Sequence, residues 1–275
     1  MALPFIKMHG LGNDFVILDA RKHRFTLTEA QVRRICDRHF GIGCDQLVVM
    51  DHSKDHNARL SVTFYNADGS TSAACGNGTR CVAALEKEAG APDQFNIEVD
   101  GVLLAADTSK SAITIDMGEA HLDWRKIPLS KEVDTLNVPV NPLLPTGVSV
   151  NLGNPHIVFF VPDAEKADVE HLGPKIENDA LFPERANVEF ASIIGKDTIR
   201  MRVWERGAGI TLACGSGACA TLVAAARRGL TGRKANIVAD GGTLIVTWLE
   251  NNHVLLEGPT AHSFSGEIAD ALLKA

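Results

Sequence analysis

Apolar and polar residues alternate along much of this chain with the period of strands. The runs "RLSVTFY", ending at Tyr65, and "TIRMRVW", ending at Trp204, put every second residue on an apolar face. That is the pattern of a half-buried strand. Alternating or β-branched runs also cover residues 95–99, 112–117, 148–152, 157–161, 237–239, 243–249 and 254–257. Turn-forming clusters such as "NADGS", "DGG" and "ENN" punctuate them. Helical signals are fewer. One helix is expected over residues 28–39, with Thr26 or Thr28 as its cap and Gly41 beyond it. Two more follow Cys75 and Cys214, and a short terminal one is expected over 265–273. The segment "ACATLVAAA", residues 218–226, is small or apolar nearly all round, and Gly229 follows as a stop signal. A helix that is apolar on every face is buried on every face.

The order of these signals occurs twice. "LGNDFVIL" at 11–18 is similar to "LGNPHIVFF" at 152–160, so that Asn13 and Asn154 lie 141 positions apart. "CGNG" and "CGSG" set Cys75 and Cys214 139 apart, and ten residues before each cysteine stands Tyr65 or Trp204. Gln46 and Asn187 also lie 141 apart, a match that chance alone could give. Two units are too few for a solenoid. The expected fold is α+β, with two pseudo-symmetric domains, each a curved, mainly antiparallel sheet or barrel around a central helix. The expected boundaries are 1–117 and 118–262, with 263–275 packing back on the first domain. The proline-bearing stretch 127–145 has no strong period and places a linker there or just before it.

Composition narrows the function classes. With 275 residues, 45% apolar and 22% charged, the chain reads as globular. A net charge of -7 argues against nucleic acid as a partner. No apolar run approaches the roughly 20 residues that span a bilayer. The start "MALPFIKMHG" lacks the apolar core of a secretory signal, so a cytoplasmic location is expected. The six cysteines are then expected to be reduced. No C-x2-C pair exists to hold zinc. Cys36, Cys44, Cys81 and Cys219 read as small core residues.

Cys75 and Cys214 read differently because glycines flank them. A helix N-terminus presents unpaired N–H groups and the positive end of the macrodipole. A cysteine there is expected to have a lowered pKa, and the adjacent glycines let the backbone cradle a carboxylate. One such copy could be a redox thiol or a covalent nucleophile. Two copies point to a thiolate that takes a proton from one face of a carbon and a thiol that gives one to the other. No cofactor or metal is needed for that chemistry.

The motifs "KMHGLGNDF", "GCDQL", "YNADGS", "CGNGTRC", "NPH", "ANVEF", "WERGAGITLACGSGACA" and "GEI" resemble the diaminopimelate epimerase family from Lys7 to Ile268. The resemblance implies a cofactor-independent isomerase that interconverts LL- and meso-diaminopimelate on the route to lysine and cell-wall precursor. It implies that Cys75 and Cys214 are the acid–base pair, and that Gly76, Asn77, Gly215 and Ser216 hold the reacting carboxylate. Asn13, Gln46, Asn66, Asn154, Asn187, Glu205 and Arg206 are the remaining implied substrate contacts. His156 and Glu205 are implied to tune the thiols, although His156 could equally be a satisfied structural ring. The repeat breaks where Asn66-Ala67 corresponds to Glu205-Arg206, which suits a substrate with two unlike ends. Trp204 and Ser216 stand where the family commonly carries tyrosine and threonine. Phe264 stands where relatives often carry a tyrosine used in dimer contacts, so a homodimer is expected. Two other readings stay open: a two-cysteine racemase of the proline or hydroxyproline type, and a thiol redox or metal-binding protein.

Overall fold

A computed structural model describes residues 3–72, 75–142 and 144–274. In chain order the first elements are β1 (Leu3–Gly10), β2 (Asn13–Asp19), α1 (Glu29–Cys36), β3 (Gln46–Asp51), β4 (Leu60–Asn66) and β5 (Thr71–Ser72). They are followed by α2 (Gly76–Glu88), β6 (Gln94–Val99), β7 (Val102–Asp107) and β8 (Ile113–Glu119). Then come β9 (Val148–Asn151), β10 (Pro155–Phe160), α3 (Val169–Glu177), β11 (Asn187–Gly195), β12 (Thr198–Glu205) and β13 (Gly209–Ile210). The last are α4 (Gly215–Arg227), β14 (Lys234–Ala239), β15 (Gly242–Trp248), β16 (His253–Gly258), β17 (Ala261–Ile268) and α5 (Asp270–Leu273). The chain forms two compact units: one runs up to Ile115 and resumes at Gly258, and the other is Asp116–Glu257.

In the first unit β2 pairs parallel with β3 across α1, β3 antiparallel with β4, β4 parallel with β6 across α2, and β6 antiparallel with β7. The second unit repeats this order. β10 pairs parallel with β11 across α3, β11 antiparallel with β12, β12 parallel with β14 across α4, and β14 antiparallel with β15. Most pairings are antiparallel, and the parallel ones fall where a helix provides the crossover that parallel strands need. Gln46 and Asn187 are the first residues of the equivalent strands β3 and β11, so their spacing belongs to the duplication.

Helix α4 buries ten of its thirteen residues and packs on β9, β10, β11, β12, β14 and β15. Its near absence of polar side chains follows from that enclosure. Helix α2 packs on β1 and β2 and buries Cys81, Val82 and Ala83 completely. Cys36, Cys44, Cys81 and Cys219 are all buried, as expected of core thiols.

Two expectations need correction. Helix α1 begins as expected, with Thr28 and Gln31 forming a capping box, but it ends at Cys36 rather than at residue 39. The Asp37 side chain accepts the N–H groups of His39 and Phe40 and turns the chain out of the helix. Residues 265–268 are strand, not helix, because they pair antiparallel with β1, which leaves only the short α5. Of the two places expected for the linker, the break between units falls before the stretch 127–145, after Ile115, and Ile127, Leu129 and Val138 are buried in one cluster with Val169 and Ile176 of α3. Helix α3 was not among the expected helices, and Gly173 and Pro174, both poor helix formers, lie inside it. Gly173 is required there by packing, because a Cβ would lie 2.5 Å from Cγ of Trp204.

Candidate active site: two cysteines that cap buried helices

Each unit presents its cysteine in the same way. Cys75 is the N-cap of α2 and Cys214 the N-cap of α4, both with extended backbone. Gly76 and Gly215 are then the first helical residues, so each cysteine stands at the end of its helix where the early N–H groups lack intrahelical partners. The Gly217 N–H donates to Cys214 Sγ at 3.3 Å, and the Ser216 hydroxyl lies 3.6 Å from that sulfur.

Around Cys75 the surroundings are amides. Asn13 Oδ1 lies 3.7 Å from Cys75 Sγ and accepts from Asn77 Nδ2 at 3.1 Å. Asn77 Oδ1 in turn accepts from the fully buried Arg80 at 2.7 Å. At the other end, Asn13 Nδ2 donates to Asp45 at 2.9 Å. Arg80 can only donate and the Asp45 carboxylate can only accept, so the orientations of both amides are fixed. Gln46 Nε2 donates to Asn66 Oδ1 at 3.1 Å across β3 and β4. The predicted site residues of the first unit thus fall into two hydrogen-bonded groups, Cys75–Asn13–Asn77 and Gln46–Asn66.

Behind Asn13, Asp14 is bonded by Lys7 and by Arg38, the latter at 2.6 Å. Burial pushes the Asp14 pKa up, but the hydrogen bonds and charges of Arg38 and Lys7 outweigh it and lower the pKa to about 2. The sign follows: the unfolded carboxyl keeps the ordinary value of 3.8, so stability from Asp14 is full above that pH and is lost as pH falls through about 2. Asp14→Asn is expected to lower the urea midpoint at about pH 6, with the difference from wild type shrinking between about pH 4 and about pH 2. An unchanged difference across that window would place the stabilisation elsewhere.

Around Cys214 the surroundings are acidic and dry. His156 is fully buried, with Nδ1 2.7 Å from Glu189 Oε1 and Nε2 2.7 Å from Asn154 Oδ1. Glu205 accepts the Thr211 hydroxyl. Burial raises the pKa of both Glu189 and Glu205, and the charge of His156 partly offsets this at each. Burial, and then Glu205 and Glu189, hold the Cys214 thiol well above its ordinary value. The expectation of a lowered pKa at both helix starts is thus corrected for Cys214. The bonds from Ser216 and Gly217 act in the expected direction, but desolvation and two carboxylates outweigh them.

Asn187 is tied to the backbone on both sides. It is buried, donates to the Pro155 carbonyl at 3.1 Å and accepts the Arg206 N–H at 2.9 Å, so both ends of its amide hold the backbone. Arg206 also donates from Nη1 to the Glu184 carbonyl at 3.0 Å. Glu189 is the residue that sequence reasoning missed. Its signal was in "ANVEF": two positions beyond Asn187 on one strand puts both side chains on the same sheet face. Among the described residues, no group of three or more His, Cys, Asp or Glu could hold a metal ion.

Comparison with known proteins agrees with this geometry. The sequence profile described as diaminopimelate epimerase matches residues 5–122 and 148–262. A diaminopimelate epimerase of Rhodospirillum centenum is 52% identical over 275 residues, covering 99% of this chain and 94% of that protein. One from Acidiphilium cryptum is 50% identical over 279 residues, covering 99% and 98%. In fold, the chain is similar to a hydroxyproline epimerase from Agrobacterium vitis, with a TM-score of 0.70 at 13% identity and coverage of 98% and 92%. It is also similar to a phenazine biosynthesis family protein of Enterococcus faecalis, with a TM-score of 0.71 at 13% identity and coverage of 98% and 100%. A profile spanning most of the chain, near-full-length relatives at half identity and a duplicated cysteine-capped helix converge: the chain belongs to the diaminopimelate epimerase family.

Proposed function

We propose that this chain is a cofactor-independent epimerase that interconverts LL- and meso-diaminopimelate, with Cys75 and Cys214 as its acid–base pair. The observation that carries the reading is the pair of helices, each capped by a cysteine and opened by glycine. The thiolate of one cysteine removes the α-proton, so the C–H bond breaks and an S–H bond forms. The electron pair left on carbon spreads into the substrate's α-carboxylate. The backbone N–H groups at Gly76, Asn77, Gly215 and Ser216 stabilise that charge. The second cysteine then gives its proton to the opposite face of the carbon. The two sulfurs have exchanged roles, and the reverse reaction runs the same steps backwards.

The acidic setting of Cys214 favours its protonated form. With its pKa held up by burial, Glu205 and Glu189, Cys214 is the thiol in the free enzyme. His156, by favouring the charged forms of Glu189 and Glu205, sets how much negative charge Cys214 meets. Arg206 takes the distal carboxylate of the substrate with two parallel N–H groups. Glu205 and the side chains of Asn13, Gln46, Asn66 and Asn154 take its ammonium groups. A proline-type substrate has no distal charges to occupy Glu205 and Arg206. The enzyme is further proposed to act in the cytoplasm as a homodimer. In that dimer Phe264, half-exposed with its ring edge on Phe5, is an interface residue.

LL-diaminopimelate incubated in deuterated water is expected to give meso product carrying deuterium at the inverted α-carbon. Proline and hydroxyproline are expected to show no exchange. Exchange of proline with none of diaminopimelate would reverse the assignment.

A further inference from the structure

A further buried carboxylate in this unit, beyond Glu189 and Glu205, has no role in the proton transfers. Glu177 is the last residue of α3 and is almost fully buried. A carboxylate there is disfavoured twice, by burial and by the negative end of the helix dipole. Three donors converge on it. Trp204 Nε1 donates to Oε2 at 2.7 Å, the Gly207 N–H to Oε1 at 2.9 Å, and Arg185 Nη1 to Oε1 at 3.2 Å. Two of them flank Glu205 and Arg206 in sequence. Gly207 has φ +77, a left-handed turn that suits glycine and aims its N–H back at α3. From the other side Asn187 and the Glu184 carbonyl hold Arg206 itself.

We propose that Glu177 is a positioning residue for recognition of the substrate's distal end: it clamps the 204–207 turn so that the Arg206 guanidinium is fixed before substrate arrives. This rests on the reading of Arg206 as the distal carboxylate site. A preorganised arginine binds without paying the ordering cost of a mobile one. Loss of the clamp therefore falls on binding rather than on proton transfer.

Glutamine in place of Glu177 sharpens the test. It offers one acceptor and one donor where the structure needs two acceptors, so one N–H must face Trp204, or Gly207 and Arg185. Phenylalanine at 204 removes the indole donor and gives that amide N–H an unopposed place. Steady-state kinetics with diaminopimelate are expected to show KM raised about tenfold in Glu177→Gln, with kcat within about threefold of wild type. In Glu177→Gln/Trp204→Phe the KM is expected to return to within about threefold of Trp204→Phe alone. Arg206→Ala, measured beside them, is expected to raise KM by at least about tenfold. If Arg206→Ala raises KM and Glu177→Gln does not, the Glu177 assignment is wrong and the Arg206 reading stands. If Glu177→Gln lowers kcat as much as it raises KM, or the double variant shows no recovery, the clamp is likewise overturned. An unchanged KM in Arg206→Ala would overturn the Arg206 reading and the clamp with it.

Discussion

Cys75→Ser and Cys214→Ser are each expected to lower inversion of diaminopimelate by about 10³-fold, the scale on which a positioned acid or base contributes. Serine keeps the shape and the helix-capping ability of cysteine, but its hydroxyl is a far weaker acid near neutral pH. The fold should therefore survive while the chemistry fails. The residual behaviour is more informative than the loss. A variant with one working sulfur can still remove the α-proton from the face it meets and return a solvent-derived one to the same face. In deuterated water each variant is expected to label one stereoisomer slowly without inverting it, and the two variants to label opposite stereoisomers. Inversion at close to the normal rate in either variant would refute the two-thiol mechanism. In the wild-type enzyme the need for one thiol and one thiolate predicts a bell-shaped profile of kcat/KM against pH.

Gly217→Ala has the second largest expected effect, and it separates catalysis from stability. Gly217 lies in the first turn of α4, where alanine normally improves a helix by about 1 kcal/mol. A Cβ there would lie 2.8 Å from Glu189 Oε1, 3.2 Å from Cys214 Cβ and 3.3 Å from Cys214 Sγ. Glu189 is fully buried and held by His156, so it cannot swing aside. The Gly217 backbone and the Cys214 sulfur must shift instead. A displacement of about 1 Å at a reacting group costs roughly 10²-fold in rate. The expected result is a kcat about 100-fold lower with the melting temperature changed by only a few degrees. A kcat within about threefold of wild type would show that the space beside Gly217 is not part of the catalytic arrangement.

Particular residues show why some of this was readable in one dimension and some was not. The two half-sites were legible because the Cys-Gly-x-Gly pattern occurs at both helix starts, and because the enclosed α4 carries a nearly unbroken run of small apolar residues. Both patterns are local. The strands were legible because β4 and β12 alternate with period two. Helix α3 was not, because what allows Gly173 inside it is the ring of Trp204, a partner on another element. Residues 265–268 read as helix because nothing in their own composition reports that β1 lies alongside. Glu189 was missed because one carboxylate on a strand is unremarkable until its neighbours are known.

By itself, then, the sequence determined the duplication, the strand-rich fold with its buried helices, and the identity of the two sulfur groups, since periodicity, glycine placement and capping are properties of short segments. The tertiary structure alone decided which carboxylates surround Cys214, which backbone groups Asn187 bonds, and which donors converge on Glu177. Those depend on which charges and donors are brought together through space out of contact with water. Coulomb and desolvation energies are set by such distances and not by position along the chain.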